Sequence, residues 1–305
     1  MVFKIYKKSL ILIIVIFFIL ILFLFSLEKK KIITNYYFSK SNSACFKNNI
    51  NSEEGKSKYY EIIIAGHSYG TPGALAKGTY IKFLNYLNQN LINKQDFFIL
   101  AGDIVRKANR QNFKLIKTEI MKFSKKIIIA PGNHDVGEGS NNKQRKQFIQ
   151  EFKKTYDKFF IKNNLFFVLD SNISPYNITE DQIHFIKKAL ENYKNIENIF
   201  IITHHVIWYN YISKDIITNN KGRDVPSNIN FENVLGLFKD KKVDSEIFFI
   251  AGDVGASKSV TKIFCEKVDK IKFIATGMGS GKNDNFLKIK ISEDGELVSI
   301  YPIIF

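Results

Sequence analysis

The chain has 305 residues, a formal net charge of +16, a hydrophobic content of 45% and two cysteines. That apolar content excludes general disorder. Two cysteines exclude a disulfide-rich scaffold, although a single Cys45–Cys265 bridge is compatible with an oxidising compartment. The lysines are scattered without a basic helix or aromatic–basic module, which fits a solvated surface and argues against nucleic acid as the partner.

Leu10 through Phe25 is wholly apolar, and Ser26-Leu27 extends the stretch to 18 residues. At about 1.5 Å per residue this covers roughly 27 Å, enough to cross a hydrocarbon core. Lys4, Lys7 and Lys8 precede it, Lys29-Lys30-Lys31 follow, and Phe25-Ser26-Leu27-Glu28 offers no small-residue cleavage site. Residues 1–27 are therefore expected to be an uncleaved single-pass anchor. The short positive leader favours a cytoplasmic N-terminus and an exported body. Residues 28–58, rich in Lys, Asn and Ser, are expected to be a tether, and residues 59–305 the globular domain.

In that domain, apolar runs predict strands at Tyr60–Ala65, Phe97–Ala101, Lys126–Ala130, Leu165–Leu169, Ile199–Thr203, Ile247–Ala251, Ile271–Ala275, Phe286–Ile291 and Leu297–Ile303. Several lack polar alternation, as strands covered on both faces do. Phe148, Phe152, Tyr156 and Phe159 recur at helical spacing and predict one helix. Ile183, Ile186, Leu190 and Tyr193 predict another, with Thr179 as its start signal. The expected class is α/β, with a mixed sheet or two packed sheets.

Four of these runs end in metal-type ligands: Gly102-Asp103, Gly132-Asn133-His134-Asp135, Thr203-His204-His205 and Gly252-Asp253. Polar groups just beyond strand C-termini are where α/β sheets place ligand sites. Carboxylate, amide oxygen and imidazole suit Mn, Fe, Zn or Mg ions. Four of the five histidines (His67, His134, His204, His205) lie at strand-end positions, and only His184 falls on a helix.

The ordered set Gly-Asp, Gly-Asn-His-Asp and Thr-His-His, each after a strand, resembles the calcineurin-like metallophosphoesterase family. Leu169-Asp170-Ser171-Asn172 and the closing strands after Thr276-Gly277-Met278-Gly279 agree with it. The resemblance implies a double β-sheet sandwich flanked by helices, carrying one or two divalent metal ions. It implies hydrolysis of a phosphomonoester or phosphodiester by metal-bound hydroxide. Asp103 is similar to the bridging ligand, and Asn133 and His204 to ligands of the second metal. His134 is similar to the residue that stabilises phosphate or protonates the leaving oxygen, with Asp135 holding its ring. His205 is open between structure and substrate, and Arg106, with Lys107 and Arg110, between a substrate contact and a solvated face.

Two motifs depart from the family pattern. Where it has Asp-x-His after the first strand, this chain has His67 and Tyr69; where it ends in Gly-His-x-His, this chain has Asp253 and Gly255. A carboxylate is lost at one motif and regained at the other. We read this as a histidine–aspartate exchange between neighbouring strand ends, with His67 and Asp253 as ligands and Tyr69 as either a phenolate ligand or a pocket wall. Anchoring suggests an envelope lipid, a glycan-linked phosphate or an extracellular nucleotide as substrate, which the sequence does not separate. The alternative is a catalytically degenerate relative that binds or assembles envelope glycans or lipids.

Overall fold

The computed structural model describes residues 44–48, 58–71, 78–173, 177–212, 216–219, 229–239 and 245–305. The expected anchor and most of the tether lie outside them. Among the described residues no helix is long and apolar enough to cross a membrane.

The first half of the body contains β1 (Lys47–Asn48), β2 (Tyr59–Gly66), α1 (Ile81–Asn90), β3 (Gln95–Ala101), α2 (Arg110–Ile120), β4 (Ser124–Ala130), α3 (Asn133–Val136) and α4 (Lys143–Phe152). The second contains β5 (Asp157–Ile161), β6 (Asn164–Val168), α5 (Glu180–Asn192), β7 (Asn198–Thr203) and α6 (Ile229–Lys239). It closes with β8 (Glu246–Ala251), β9 (Ile263–Val268), β10 (Ile271–Thr276), β11 (Asn285–Ser292) and β12 (Leu297–Ile304).

The strands form two sheets, ordered β1-β12-β11-β2-β3-β4 and β5-β6-β7-β8-β10-β9. In each the central strands are parallel: β2, β3 and β4 in the first, and β6, β7, β8 and β10 in the second. Antiparallel partners close the rest.

Uninterrupted apolar runs work because each strand is buried on both faces. In β2, Ile62 and Ile64 face the partner sheet while Ile63 and Ala65 pack under the helices with Phe83 and Phe113. In β8, Phe248 and Ile250 turn to the partner sheet, and Ile247 and Phe249 pack with the core residues of α5 and α6. The layers are therefore helix, sheet, sheet, helix. Between the sheets runs a ladder of near-parallel rings: Phe97–Phe159 at 5.2 Å, Phe159–Phe166 at 4.9 Å, Phe166–Phe200 at 4.4 Å and Phe200–Phe248 at 4.7 Å. Much of the chain's phenylalanine is core for this reason.

Three elements differ from expectation. The helix predicted through Phe159 stops at Phe152, where Lys153 takes φ 74°. Phe159 instead lies on β5, hairpinned to β6. As a strand residue it stacks between Phe97 and Phe166, a gain that outweighs the local helical spacing. The edge strand β9 was not expected, because Glu266 and Lys267 break its short apolar run. Residues 44–48, within the span assigned to the tether, belong to the body: β1 pairs with β12, and Cys45 is bridged to Cys265 with Cα atoms 5.9 Å apart.

Candidate active site

The parallel strands of the two sheets end at the same edge of the sandwich, and their C-termini meet there. A side chain built on Gly66 would place its Cβ 2.4 Å from Gly252 Cα, so the ends of β2 and β8 touch. His67 and Asp253 are the residues that follow these two strand ends. Gly102 is needed for both conformation and space: its φ is +77°, and a Cβ would fall 2.4 Å from the His204 ring.

Two non-glycine residues at this edge are left-handed. His67 has φ 53° and Asp103 φ 52°. Such backbone costs on the order of 1 kcal/mol each and persists where surrounding contacts fix it. The His67 amide donates to Gly102 O (3.1 Å), and the Tyr69 amide to Asp103 O (3.3 Å). The strain turns both side chains into one buried cluster.

Asp103 stands at its centre. His67 Nε2 lies 3.6 Å from Asp103 Oδ2, and His204 Nε2 lies 3.5 Å from Oδ1. His204 Nε2 is also 3.8 Å from Asp253 Oδ1. These gaps are long for hydrogen bonds. They are close to the roughly 3.4 Å between two atoms each bound at about 2.1 Å to a tetrahedral ion. The His204 ring donates from Nδ1 to Ala101 O at 3.2 Å, since a carbonyl can only accept. That leaves Nε2, the ring's other nitrogen, facing two carboxylates. Such a cluster is satisfied by positive charge among these atoms, either a proton on Nε2 or a cation.

Other polar atoms support that test. His67 Nδ1, Asn133 Oδ1 and His204 Nε2 are buried without a hydrogen-bond partner in the structure. His204, His205 and Asp253 each place a ligand atom within 4.8 Å of the others. His205 Nδ1 lies 3.0 Å from Ser171 Oγ and 3.1 Å from Ser171 O, which fixes its ring. The amides of Gly252 and Asp253 donate to His204 O (3.0 and 2.9 Å), locking the ends of β7 and β8 together. The donor set fits one or two divalent ions held by Asp103, Asn133, His204, Asp253 and His67, with His205 beside them.

The electrostatics agree. Burial acts first to lower His204, but Asp103 and Asp253 outweigh it and raise its pKa. Burial likewise would raise Asp103, and the imidazoles of His204, His134 and His67 bring it below the usual range. His67 falls from 6.5 to about 4, chiefly by burial, and is neutral at pH 7. Burial, then the Asp103 charge, push the Tyr69 phenol upward. That opposes the phenolate a ligand role needs. The Tyr69 ring instead packs between His67 (4.4 Å) and His134 (5.3 Å) as a wall.

The role expected of Asp135 is corrected. It does not hold the His134 ring. Its buried carboxylate accepts from the amides of Gly132 (2.8 Å), Ile104 (3.0 Å) and Val105 (3.1 Å), tying the β4 turn to the β3 turn. Burial, with the nearby Asp103 charge, raises it to about 7. The short helix α3 carries Asp135 toward those amides and away from its neighbour's ring. His134 is held by Arg106 O, 2.9 Å from Nδ1, and its own amide donates to Asp103 Oδ1 at 3.1 Å. The Arg106 side chain is exposed, and His184 is hydrogen-bonded to Glu180 O on α5, away from the site.

A supporting clamp was not foreseen. Arg145 on α4 is buried against Asp170 and donates from Nε to Gly139 O at 2.8 Å. Asn172 donates to Pro131 O at 2.6 Å, joining the loop after β6 to the β4 turn. The Asp-Ser-Asn sequence was a visible signal, but nothing local marked Arg145 as its partner.

A helix-flanked double sheet with imidazoles and carboxylates converging on shared space defines a class of metal-dependent hydrolase. The calcineurin-like phosphoesterase family profile matches residues 67–249. The chain belongs to that family. No curated protein sequence matches it. Among solved structures, a purple acid phosphatase from yellow lupin (Lupinus luteus) seeds is similar at a TM-score of 0.54 and 13% identity. That match covers 82% of this chain and 54% of the lupin chain, so this chain spans about half the lupin enzyme's length. A cold-active protein-tyrosine phosphatase of Shewanella aligns at a TM-score of 0.36 and 12% identity, covering 80% of each chain. A single mutant of Vps29 from Entamoeba histolytica aligns at 0.35 and 10%, covering 80% of this chain and 99% of that one. At these identities the lupin likeness concerns the fold.

Proposed function

We propose that this protein is a membrane-anchored, metal-dependent phosphoesterase that hydrolyses a phosphomonoester or phosphodiester, with His134 as the acid. The observation that carries the reading is His204 Nε2 facing Asp103 and Asp253 across 3.5 and 3.8 Å beside His134. Asp103, Asn133, His204, Asp253 and His67 would hold the metal. When bound, it supplies charge neutralisation for phosphate oxygens and a lowered pKa for water.

The chain's own residues do the rest. His134 donates from Nδ1 to Arg106 O, so Nε2 is the atom that takes up and releases a proton. As imidazolium it gives that proton to the departing oxygen. Tyr69 walls the His67–His134 side and limits water. Asp135 holds the two turns in register from below.

Exported placement is supported by the lysine-flanked apolar stretch and by the Cys45–Cys265 bridge, which persists in oxidising compartments. Such placement suits a lipid- or glycan-linked phosphate. The test is phosphate or nitrophenol release by full-length protein in detergent with added Mn, using p-nitrophenyl phosphate and bis(p-nitrophenyl) phosphate. Turnover of either, lost on chelation and restored by metal, is the expected result. No turnover with any of Mn, Fe, Zn or Mg contradicts it.

A further inference from the structure

Beside His134 the surface opens into a cavity of about 570 Å³. Its walls come from two places: the segment after β3, with Arg106, Lys107 and Asn109, and the first turns of α4, with Lys143, Gln144 and Gln147. Asn133 and His134 form the side toward the metal-type cluster. Three of the lining residues are cations, three are primary amides beyond Asn133, and none is a carboxylate. The one wholly apolar side chain is Ala108.

The position of this cavity sets what enters it. A phosphate held at Asp103 has His134 between it and the cavity, because the His134 amide binds Asp103 Oδ1 while the residue lines the cavity. The acid stands on the leaving-group side of a phosphoryl transfer. The cavity therefore receives the leaving group. An anion gains charge-assisted contacts there from Lys107 on one wall and Lys143 on the other, which an apolar or neutral alcohol does not.

We infer that the substrate's leaving group carries a second anionic group, a phosphate or carboxylate, recognised by Lys107, Lys143 and Arg106. The inference rests on the proposed phosphoesterase activity and names its substrate class. Lys107 and Lys143 are exposed and sit on separate elements, so the site grips the leaving group from two sides.

The experiment compares three small esters whose leaving groups differ in charge, with p-nitrophenyl phosphate as reference. Full-length metal-loaded protein is assayed by phosphate release from glycerol 3-phosphate, 3-phosphoglycerate and 2,3-bisphosphoglycerate. The expected kcat/KM is about tenfold higher for the two anionic leaving groups than for glycerol, the size of a few partly screened ion contacts. The preference weakens with added salt, and the Lys107→Gln/Lys143→Gln double variant brings the ratio toward one. A faster 2,3-bisphosphoglycerate shows that a phosphate added to the carboxylate improves recognition, and equal rates show that the carboxylate suffices. Turnover of all three esters at equal kcat/KM overturns the inference and leaves the phosphoesterase reading intact. A preference that survives in the double variant overturns the assignment to these lysines. Absence of turnover with every ester, including p-nitrophenyl phosphate, overturns both.

Discussion

Asp103 divides the candidate centre into two unequal flanks. On its Oδ1 side stand His204 and Asp253, with His205 within ligand distance and the His134 amide donating to the same oxygen. On its Oδ2 side stands His67 at 3.6 Å, backed by the Tyr69 ring. The rich flank places two carboxylates around one imidazole, which raises the His204 pKa and calls for positive charge. The thin flank buries a neutral imidazole whose pKa burial has lowered to about 4. Ligand replacement at two motifs thus has opposite outcomes: Asp253 adds negative charge to one flank, while His67 removes it from the other. On the proposed reading, the rich flank is the chief holder of the cation.

The strongest way to break this comparison is to remove the carboxylate both flanks share. Asp103→Asn is expected to lower kcat by about 10³-fold or more, since several kcal/mol of charge stabilisation go with the ion it holds. Metal-free Asp103→Asn should fold as well as wild type by circular dichroism, because it relieves buried repulsion with Asp135. His134→Ala tests the acid outside both flanks. Its expected loss is about 10²-fold or more for alkyl phosphates and much less for p-nitrophenyl phosphate, whose leaving group needs no proton. Equal losses on both substrates would remove the acid role.

The next comparison separates the flanks. Asp253→Ala should weaken metal binding at least about tenfold more than His67→Ala does, read by titration calorimetry with Mn. The reverse order would mean that the thin flank holds the ion. The last comparison concerns pH stability of metal-free protein. His67 titrates at about 4 when folded and 6.5 when free. Between these values the unfolded chain binds more protons. The stability His67 contributes is full above pH 6.5 and lost as pH falls toward 4, by about 3 kcal/mol at most. His67→Gln should flatten that part of the thermal-melting profile.

Most of the architecture was visible in the sequence because burial on both faces writes itself as unbroken Ile/Phe runs, as in Phe97–Ala101 and Ile247–Ala251. The turns after those runs named Asp103, His134, His204 and Asp253, and the fold brings their loops to one edge. What failed was information carried by tertiary contact. Phe159 keeps helical spacing from Phe148 yet belongs to a ring ladder spanning both sheets. Asp135 adjoins His134 in sequence, but its partners are backbone amides about thirty residues away and at Gly132. Arg145 could not be paired with Asp170 by any local pattern, nor Lys143 with Lys107 across one cavity.

The account stands on a cation seated between Asp103, His204 and Asp253, and metal content measures that directly. Full-length protein, reconstituted with Mn and freed of excess, should retain at least one divalent ion per chain by elemental analysis, and Asp253→Ala should retain markedly less. Wild-type protein that holds no ion after reconstitution, and takes up none in calorimetry, would contradict it.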